Sequence, residues 1–331
     1  MSAPLSINQA ADLVDLSIQK VFQKMAEPEN VYSKYFNVRT TEDYYDKDSS
    51  LSGLTQADFV DENGIIFSDT PVQGYKKTYT QNMIGIIVPF TFQMWKFGIK
   101  KRDLTNVAKQ LKNSIAQVKE QLCAERIDNA WSTSYTHNGP SGNKTMTISG
   151  GDGLAAASNA HTREDGGANM NNIVYDGTTY NLPFDYAGVK AAMRTAGLMV
   201  DPRGNPMIPD LDRLVVKKNS SNHFKAKEIL KSIKENKISE SFDNDGTGVN
   251  AFEIIPVSWI QNSNYWAMFS SEMKQDEYGF QFVESQPAMV DPVNVVYKTK
   301  EIQTSATTLF DLGGNDFARS WVFSKADSTT P

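Results

Sequence analysis

The chain has a single cysteine, Cys123, in 331 residues. That excludes an internal disulfide and fits a reducing compartment. Histidines are almost as scarce. His137, His161 and His223 are the only three, and none has a second His or Cys at ligand spacing, which argues against a His/Cys metal centre. No stretch approaches the roughly 20 consecutive apolar residues of a membrane span. Residues 1–25 lack the apolar core of a secretory leader, so the sequence predicts a soluble, cytoplasmic product with no membrane partner. Basic residues are not in excess either. There are 33 Lys and Arg against 39 Asp and Glu, a formal charge of −6. Proteins that wrap or scan nucleic acid usually carry a basic surplus. Internal repeats and low-complexity tracts are absent from the sequence.

What is present is one long helical pattern, predicted over 103–135. Leu104, Val107, Leu111, Ile115, Val118, Leu122 and Ile127 recur mostly at steps of three and four, giving one apolar stripe. Lys109, Lys112, Lys119, Glu120, Glu125 and Arg126 fall on the other faces and are expected to point outward. Asp103 can cap the first turn. Some 28 helical residues would span roughly 42 Å, well beyond the usual helix of about 11–12 residues. Such a helix is a strut laid across another surface. Cys123, beside Leu122, reads as a small packing residue.

In chain order, residues 6–25 predict an amphipathic helix, with Ser6 and Gln9 as a capping box. Residues 29–63 are polar and irregular, too long for an ordinary loop, and suit either an arm along other subunits or a linker. Residues 54–99 are rich in β-branched and aromatic side chains. They predict two long strands or a bent ribbon over 72–79 and 84–95, which must pack on something, usually another copy where such a ribbon projects, with Gly64, Gly74 and Gly85 at turns or bulges. After the helix, 137–152 reads as turns around one short strand, KTMTI, and 166–172 as an irregular loop outside the core. Residues 183–290 read as a compact α+β body, with helices over 183–199 and 222–233 and strands over 213–217, 251–260 and 264–269. A long strand over 293–310 and a last one over 319–324 close the chain.

Four constellations invite a chemical reading. Gly151-Asp152-Gly153-Leu154-Ala155-Ala156 matches a dinucleotide fingerprint, but the helix after it is short and no second apolar strand follows. Ser158 and His161 with Glu164 or Asp165 lack the strand–turn–helix setting of a hydrolase. Asp243 to Gly248 is half of a calcium loop without its twelfth-position Glu. Lys100-Lys101-Arg102 is a small basic cluster, solvated or paired with carboxylates, or else in contact with phosphates or a partner subunit. Neither enzyme activity, nor a metal, nor a cofactor is expected. Tyr75, Lys76, Lys77, Trp95, Lys100, Lys101 and Arg102 are the candidate inter-subunit contacts.

The order of parts, with YKKTYTQNMIGIIVPFTFQMWKFGI before the long helix, LAAASNAHTREDGGANMNN after it, then DPRGNPMIPDLDRLVVKKN, WAMFSSE, GFQFVESQP and DFARSWVF, resembles the major capsid proteins of tailed bacteriophages. The likeness is to the Hong-Kong-97-like fold, in its Mu-like major head subunit branch, and covers nearly the whole chain. It implies an α+β subunit with an N-terminal arm (1–53) and an extended β-hairpin loop lying over a neighbour (54–99). A peripheral domain (100–182 and 291–312) would hold the spine helix 103–135, and an axial domain would comprise 183–290 and 313–331. It further implies hexamers and pentamers closing an icosahedral head around double-stranded DNA in the virion, assembled in host cytoplasm. Portal and scaffold proteins would be partners, as could a decoration protein. The alternatives are an encapsulin-like compartment shell, a phage tail or adaptor protein, and a nucleotide-binding enzyme using the Gly151 turn.

Overall fold

The computed structural model describes residues 20, 22–23, 30–51, 54, 56–60, 64–71, 73–91, 93, 101–238, 252–275, 278–292, 294–296, 298–299 and 301–328. Most of the N-terminal helix expected over 6–25 lies outside them, as do Trp95, Lys100 and the calcium-like turn at 243–248. A 3-10 turn, Tyr32–Lys34, precedes β1 (Asn37–Thr40), β2 (Tyr45–Leu51), β3 (Gln73–Thr80) and β4 (Asn82–Thr91). Then come α1 (Lys101–Asp128), β5 (Ser134–Gly139), β6 (Gly142–Thr147), α2 (Tyr186–Ala196), β7 (Arg213–Lys217) and α3 (Ser221–Ile238). The chain ends with β8 (Glu253–Val257), β9 (Trp266–Phe269), α4 (Ser271–Gln275), β10 (Phe280–Val290), β11 (Asn294–Val296), β12 (Glu301–Gly314) and β13 (Trp321–Ser324).

Two sheets carry the core. In the four-stranded sheet β13-β9-β7-β8, successive side chains go to opposite faces, as the strand period requires. Leu214, Val216, Trp266, Met268 and Val322 pack under α2 and α3. Val215, Ala267, Phe269, Trp321 and Phe323 pack toward the second sheet and the end of α1. Burial on both faces explains why β7, β9 and β13 read as nearly continuous apolar runs. Asp185 caps α2, its carboxylate accepting from the Gly188 amide at 2.7 Å. In the five-stranded sheet β1 lies parallel to β10, and β12 lies antiparallel to β10 on one side and to β4 on the other. The long expected strand over 293–310 is two strands: β11 turns back to pair with the start of β12.

Helix α1 lies on this second sheet. Leu111 and Ile115 meet Ala306 and Phe22, while Leu122 and Ile127 join the cluster containing Phe282 and Phe310. The apolar stripe is therefore seated as expected, but the charged faces are not all outward. Lys112, Lys119 and Arg126 are buried. Lys119 reaches Glu284 at 2.5 Å, over the rings of Phe282 and Phe310. Arg126 donates to the carbonyls of Thr147 and Leu312. Glu120 accepts from the amides of Val31 and Tyr32, so the arm is packed against a second side of the helix. A helix clasped on several sides is a core element as much as a strut.

Other expectations need correction. The helix stops at Asp128, not near 135. The Asn129 amide and side chain both bond the Glu125 carbonyl, at 3.0 and 2.8 Å, and close the last turn. The β-branched and aromatic run beyond it, with Tyr135, forms the β5–β6 hairpin. Residues 30–51 are not an irregular arm: Tyr35 and Phe36 are fully buried, and β1 and β2 are strands. The strands expected at 72–79 and 84–95 exist as β3 and β4 but do not pair with each other. The first pairs with β2 and the second with β12. Gly85 makes no turn; it faces Thr307 within β4, where an added Cβ would lie 3.0 Å from that side chain. Residues 280–290 hydrogen-bond into the five-stranded sheet, so they belong with α1 and not with the body expected over 183–290. Asn172 is not peripheral. It is fully buried, bridging the Ala156 carbonyl and the Ser158 amide.

Candidate functional site

The hairpin β2–β3 joins the body to a loop that carries exposed apolar side chains. Its register pairs Tyr45 with Thr80, Asp48 with Lys77, Ser49 with Lys76 and Leu51 with Gln73. The seven residues of β2 span about 23 Å. The base is welded to the body. Tyr79 is buried, its ring against Gly313, where a Cβ would approach Cε1 to 2.5 Å; only glycine leaves that room. Burial pushes the Tyr79 hydroxyl well above its ordinary pKa. Arg39 lies over the same ring at 5.1 Å and pairs with Asp46 at 3.0 Å. Asp311 accepts from the Thr80 amide and from Asn82 Nδ2, and burial raises its carboxyl pKa.

The period of two sorts the sequence candidates in β3. Lys77 turns inward and donates to the Ser149 carbonyl at 2.6 Å; burial, then the neighbouring Arg126, lowers its pKa. Tyr75 hydrogen-bonds Thr162 through the two hydroxyls at 2.6 Å, and its carbonyl accepts from Asn315 Nδ2. Lys76, between them, is exposed. Lys101 and Arg102 stand at the head of α1, some distance along the chain from this trio, and the remaining two candidates, Trp95 and Lys100, fall outside the described residues. The structure therefore brings Tyr75 and Lys77 together as internal anchors of the hairpin and leaves Lys76 facing out.

At the far end of the hairpin, apolar side chains stand in water. Phe59 and Ile65 are 102% and 97% exposed, and Leu54, Val60, Ile66 and Phe67 are also exposed. Residues 64–70 belong to no helix or strand. Below them, Arg203 ties the returning chain to the body through Asp69 at 3.4 Å and the Thr70 carbonyl at 3.0 Å. In the sequence, GIIFSD (64–69) is part of the β-branched and aromatic stretch 54–99 and lies before its first expected strand. The signal for an exposed tip was there in the acidic residues on both sides, Asp58, Asp61, Glu62 and Asp69. Gly313 and Asn315, which meet Tyr79 and Tyr75, gave no local signal.

The chemical constellations resolve differently. After Gly151 the chain makes turns, with Asp152 accepting from the Leu154 amide, so no helix N-terminus faces a pyrophosphate there. His161 Nδ1 pairs with Asp152 at 2.7 Å, which holds the Asp152 carboxyl below its usual range despite its burial. Ser158 Oγ instead accepts from the Ala160 amide. Nearby, Arg319 is buried between Glu164 and Asp316. This buried charged network joins the 150–172 loop to the start of β13. Among the described residues no group of three or more His, Cys, Asp or Glu is placed to hold a metal ion, and no helix is long and apolar enough to cross a membrane.

No family model and no curated protein matches the chain. Solved structures do. The capsid of an empty GTA particle is 10% identical over 90% of this chain and 91% of that chain, with a TM-score of 0.53. The capsid of the native GTA particle is 8% identical over 90% and 91%, TM-score 0.50. The cyanophage Pam1 capsid is 10% identical over 91% and 92%, TM-score 0.50. The shared feature at such identity is the fold, and it spans almost the whole molecule: this chain has the α+β fold of phage-type capsid subunits.

Proposed function

We propose that the protein is a major capsid protein of the Mu-like major head branch. Copies would join as hexamers and pentamers and close an icosahedral head around double-stranded DNA, with no enzymatic step of their own. One observation carries this reading: a hairpin with a welded base and an apolar tip in water, on a subunit with the capsid fold. Apolar side chains so exposed mark an interaction surface. The remaining parts take their roles accordingly. The arm and hairpin are contact elements, α1 and the five-stranded sheet form the peripheral domain, and the four-stranded sheet with α2 and α3 forms the axial domain. Lys76 and the head of α1 are the candidate contacts toward neighbours. The net charge of −6 suits a wall that does not hold packaged DNA by strong phosphate contacts. Portal, scaffold and decoration proteins would meet the finished or growing shell.

The test is direct. The purified chain, expressed alone or with its neighbouring scaffold gene product, is examined by sedimentation and negative-stain microscopy. Closed shells, or pentamers and hexamers, are expected. Monodisperse monomer under every condition would overturn the reading, and rings or tubes alone would redirect it to a tail or adaptor protein.

A further inference from the structure

Positive charge gathers where the turn Tyr32–Lys34 and β1 meet the four-stranded sheet. A pocket of about 420 Å³ lies there, lined by Lys34, Asn37, Arg213, Glu253, Ser271 and Lys274. These residues come from the turn, β1, β7, β8 and α4, so the pocket joins the N-terminal segment to the body. The carboxylates beside it are already engaged. Glu253 is paired with Arg213 Nη1. Asp212 accepts from the amide and the hydroxyl of Ser271, at 2.8 and 2.5 Å, and lies 3.4 Å from Arg213 Nε. Among the described residues the two donors on Arg213 Nη2 are left over.

Lys274 is the uncompensated member of the group. Among the described residues its ammonium bonds a neutral partner, the Ser33 carbonyl, at 2.5 Å. Burial and the Arg213 guanidinium bring its pKa down to about 8, and no carboxylate among the described residues offsets them. A half-buried ammonium beside a guanidinium costs the fold something that an anion lying between them would remove.

We propose that this pocket binds a tetrahedral oxyanion of the phosphate class, held between Lys34, Arg213 and Lys274. A doubly charged anion answers several cations at once, where a carboxylate would bring one charge, and its oxygens accept charge-assisted bonds from ammonium and guanidinium alike. The Asn37 side chain adds a neutral donor at the wall. Bound there, the anion would tie the segment carrying Lys34 and Asn37 to β7 and α4, beside the existing bond from Lys274 to Ser33. The same chemistry is met by free phosphate and by a phosphate of a nucleic-acid backbone. The site does not rest on the shell reading, because it is read on the folded chain whether or not shells form.

Inorganic phosphate, titrated calorimetrically into the full-length chain near neutral pH and against chloride of equal ionic strength, tests the site. Saturable binding is expected, weakened at least about tenfold in Lys274→Met and in Lys34→Met, and largely kept in Lys274→Arg. The parent's affinity should fall as the pH rises through about 8, where Lys274 loses its charge while Lys34, Arg213 and Glu253 keep theirs, and Lys274→Met should lose that dependence. Phosphate also strengthens folds in general, so the urea midpoint is compared between chains: phosphate should raise the parent's more than that of Lys274→Met. A short DNA duplex that binds the parent, is displaced by phosphate and fails on Lys274→Met would identify the backbone as the source; phosphate binding without duplex binding would identify the free anion. No saturable heat, or equal affinity and an equal midpoint rise in Lys274→Met, would overturn the site.

Discussion

The four-stranded sheet and the β2–β3 hairpin are built from the same backbone rule and reach opposite ends. In the sheet both faces are covered by the chain itself, and Trp321 is stacked on Phe269 at 4.4 Å and met edge-on by Phe280 at 4.9 Å. The hairpin is held to the body through Tyr75, Lys77 and Tyr79, but apolar side chains in the loop beyond its paired strands meet solvent. A single subunit satisfies the first region completely. The second is not satisfied within one subunit. The contrast separates what makes this protein fold from what would serve the proposed assembly.

Perturbations should divide along the same line, and they are ordered here by their cost to the subunit. Trp321→Ala empties the middle of the aromatic stack and should cost about 3–5 kcal/mol, a large share of a typical stability of about 5–15 kcal/mol. Urea unfolding should show it, and particles should be lost with the subunit. Lys119→Ala strands Glu284 beneath α1 and should cost about 3 kcal/mol. Restoring an apolar pair with Lys119→Met and Glu284→Leu should recover most of that loss; a double variant as weak as the single one would show that packing, not the stranded charge, dominates.

A smaller effect is expected at Lys274, beside the arm. Burial, then the neighbouring Arg213, pulls its ammonium down to about 8. The unfolded chain, with an ordinary value of about 10.4, therefore binds more protons between those two pH values. Lys274 thus penalises the folded state fully below pH 8, and the penalty fades as the pH rises through that window. Lys274→Met should be more stable than its parent at pH 7, with the gap closing by about pH 10.4. A less stable variant at pH 7 would mean that the bond from Nζ to the Ser33 carbonyl, 2.5 Å, outweighs the penalty. The smallest cost to the subunit belongs to Ile65→Ser, Ile66→Ser and Phe67→Ser together, within about 0.5 kcal/mol. Their effect on assembly should be complete, read as loss of sedimenting particles from a folded chain. Intact particles from that variant would erase the distinction between the two regions.

The legible part of this architecture was periodic. The stripe from Val107 to Ile127 announced α1, and RLVVK, WAMF and RSWVF announced strands within a residue or two. The order of elements carried the capsid likeness. What stayed hidden was pairing between distant residues. β3 and β4 follow each other in sequence, yet each takes a partner elsewhere, and the bond from the Thr80 amide to Asp311 spans 231 positions. Arg126 and Lys119 looked like solvent-facing charges because their acceptors, the Leu312 carbonyl and Glu284, lie 186 and 165 positions away. Helical periodicity describes one face of one element. It is silent about an arm arriving on a second face, which is why Glu120 at the Val31 and Tyr32 amides could not be read in advance. Among the contact candidates, alternation along β3 could have separated Lys76 from Tyr75 and Lys77, but not which side was covered.

The welded base of the hairpin has a mechanical consequence. With Tyr79 lodged against Gly313, Asp311 gripping both Thr80 and Asn82, and Tyr75 bonded to Thr162 and Asn315, the paired strands are held to the body along the length of β3. In the proposed shell, hexamers and pentamers would ask for different reaches from the same part. A hairpin held this firmly supplies little of that adjustment, so it would fall to residues beyond the paired strands, such as the exposed Ile65, Ile66 and Phe67, which belong to no strand.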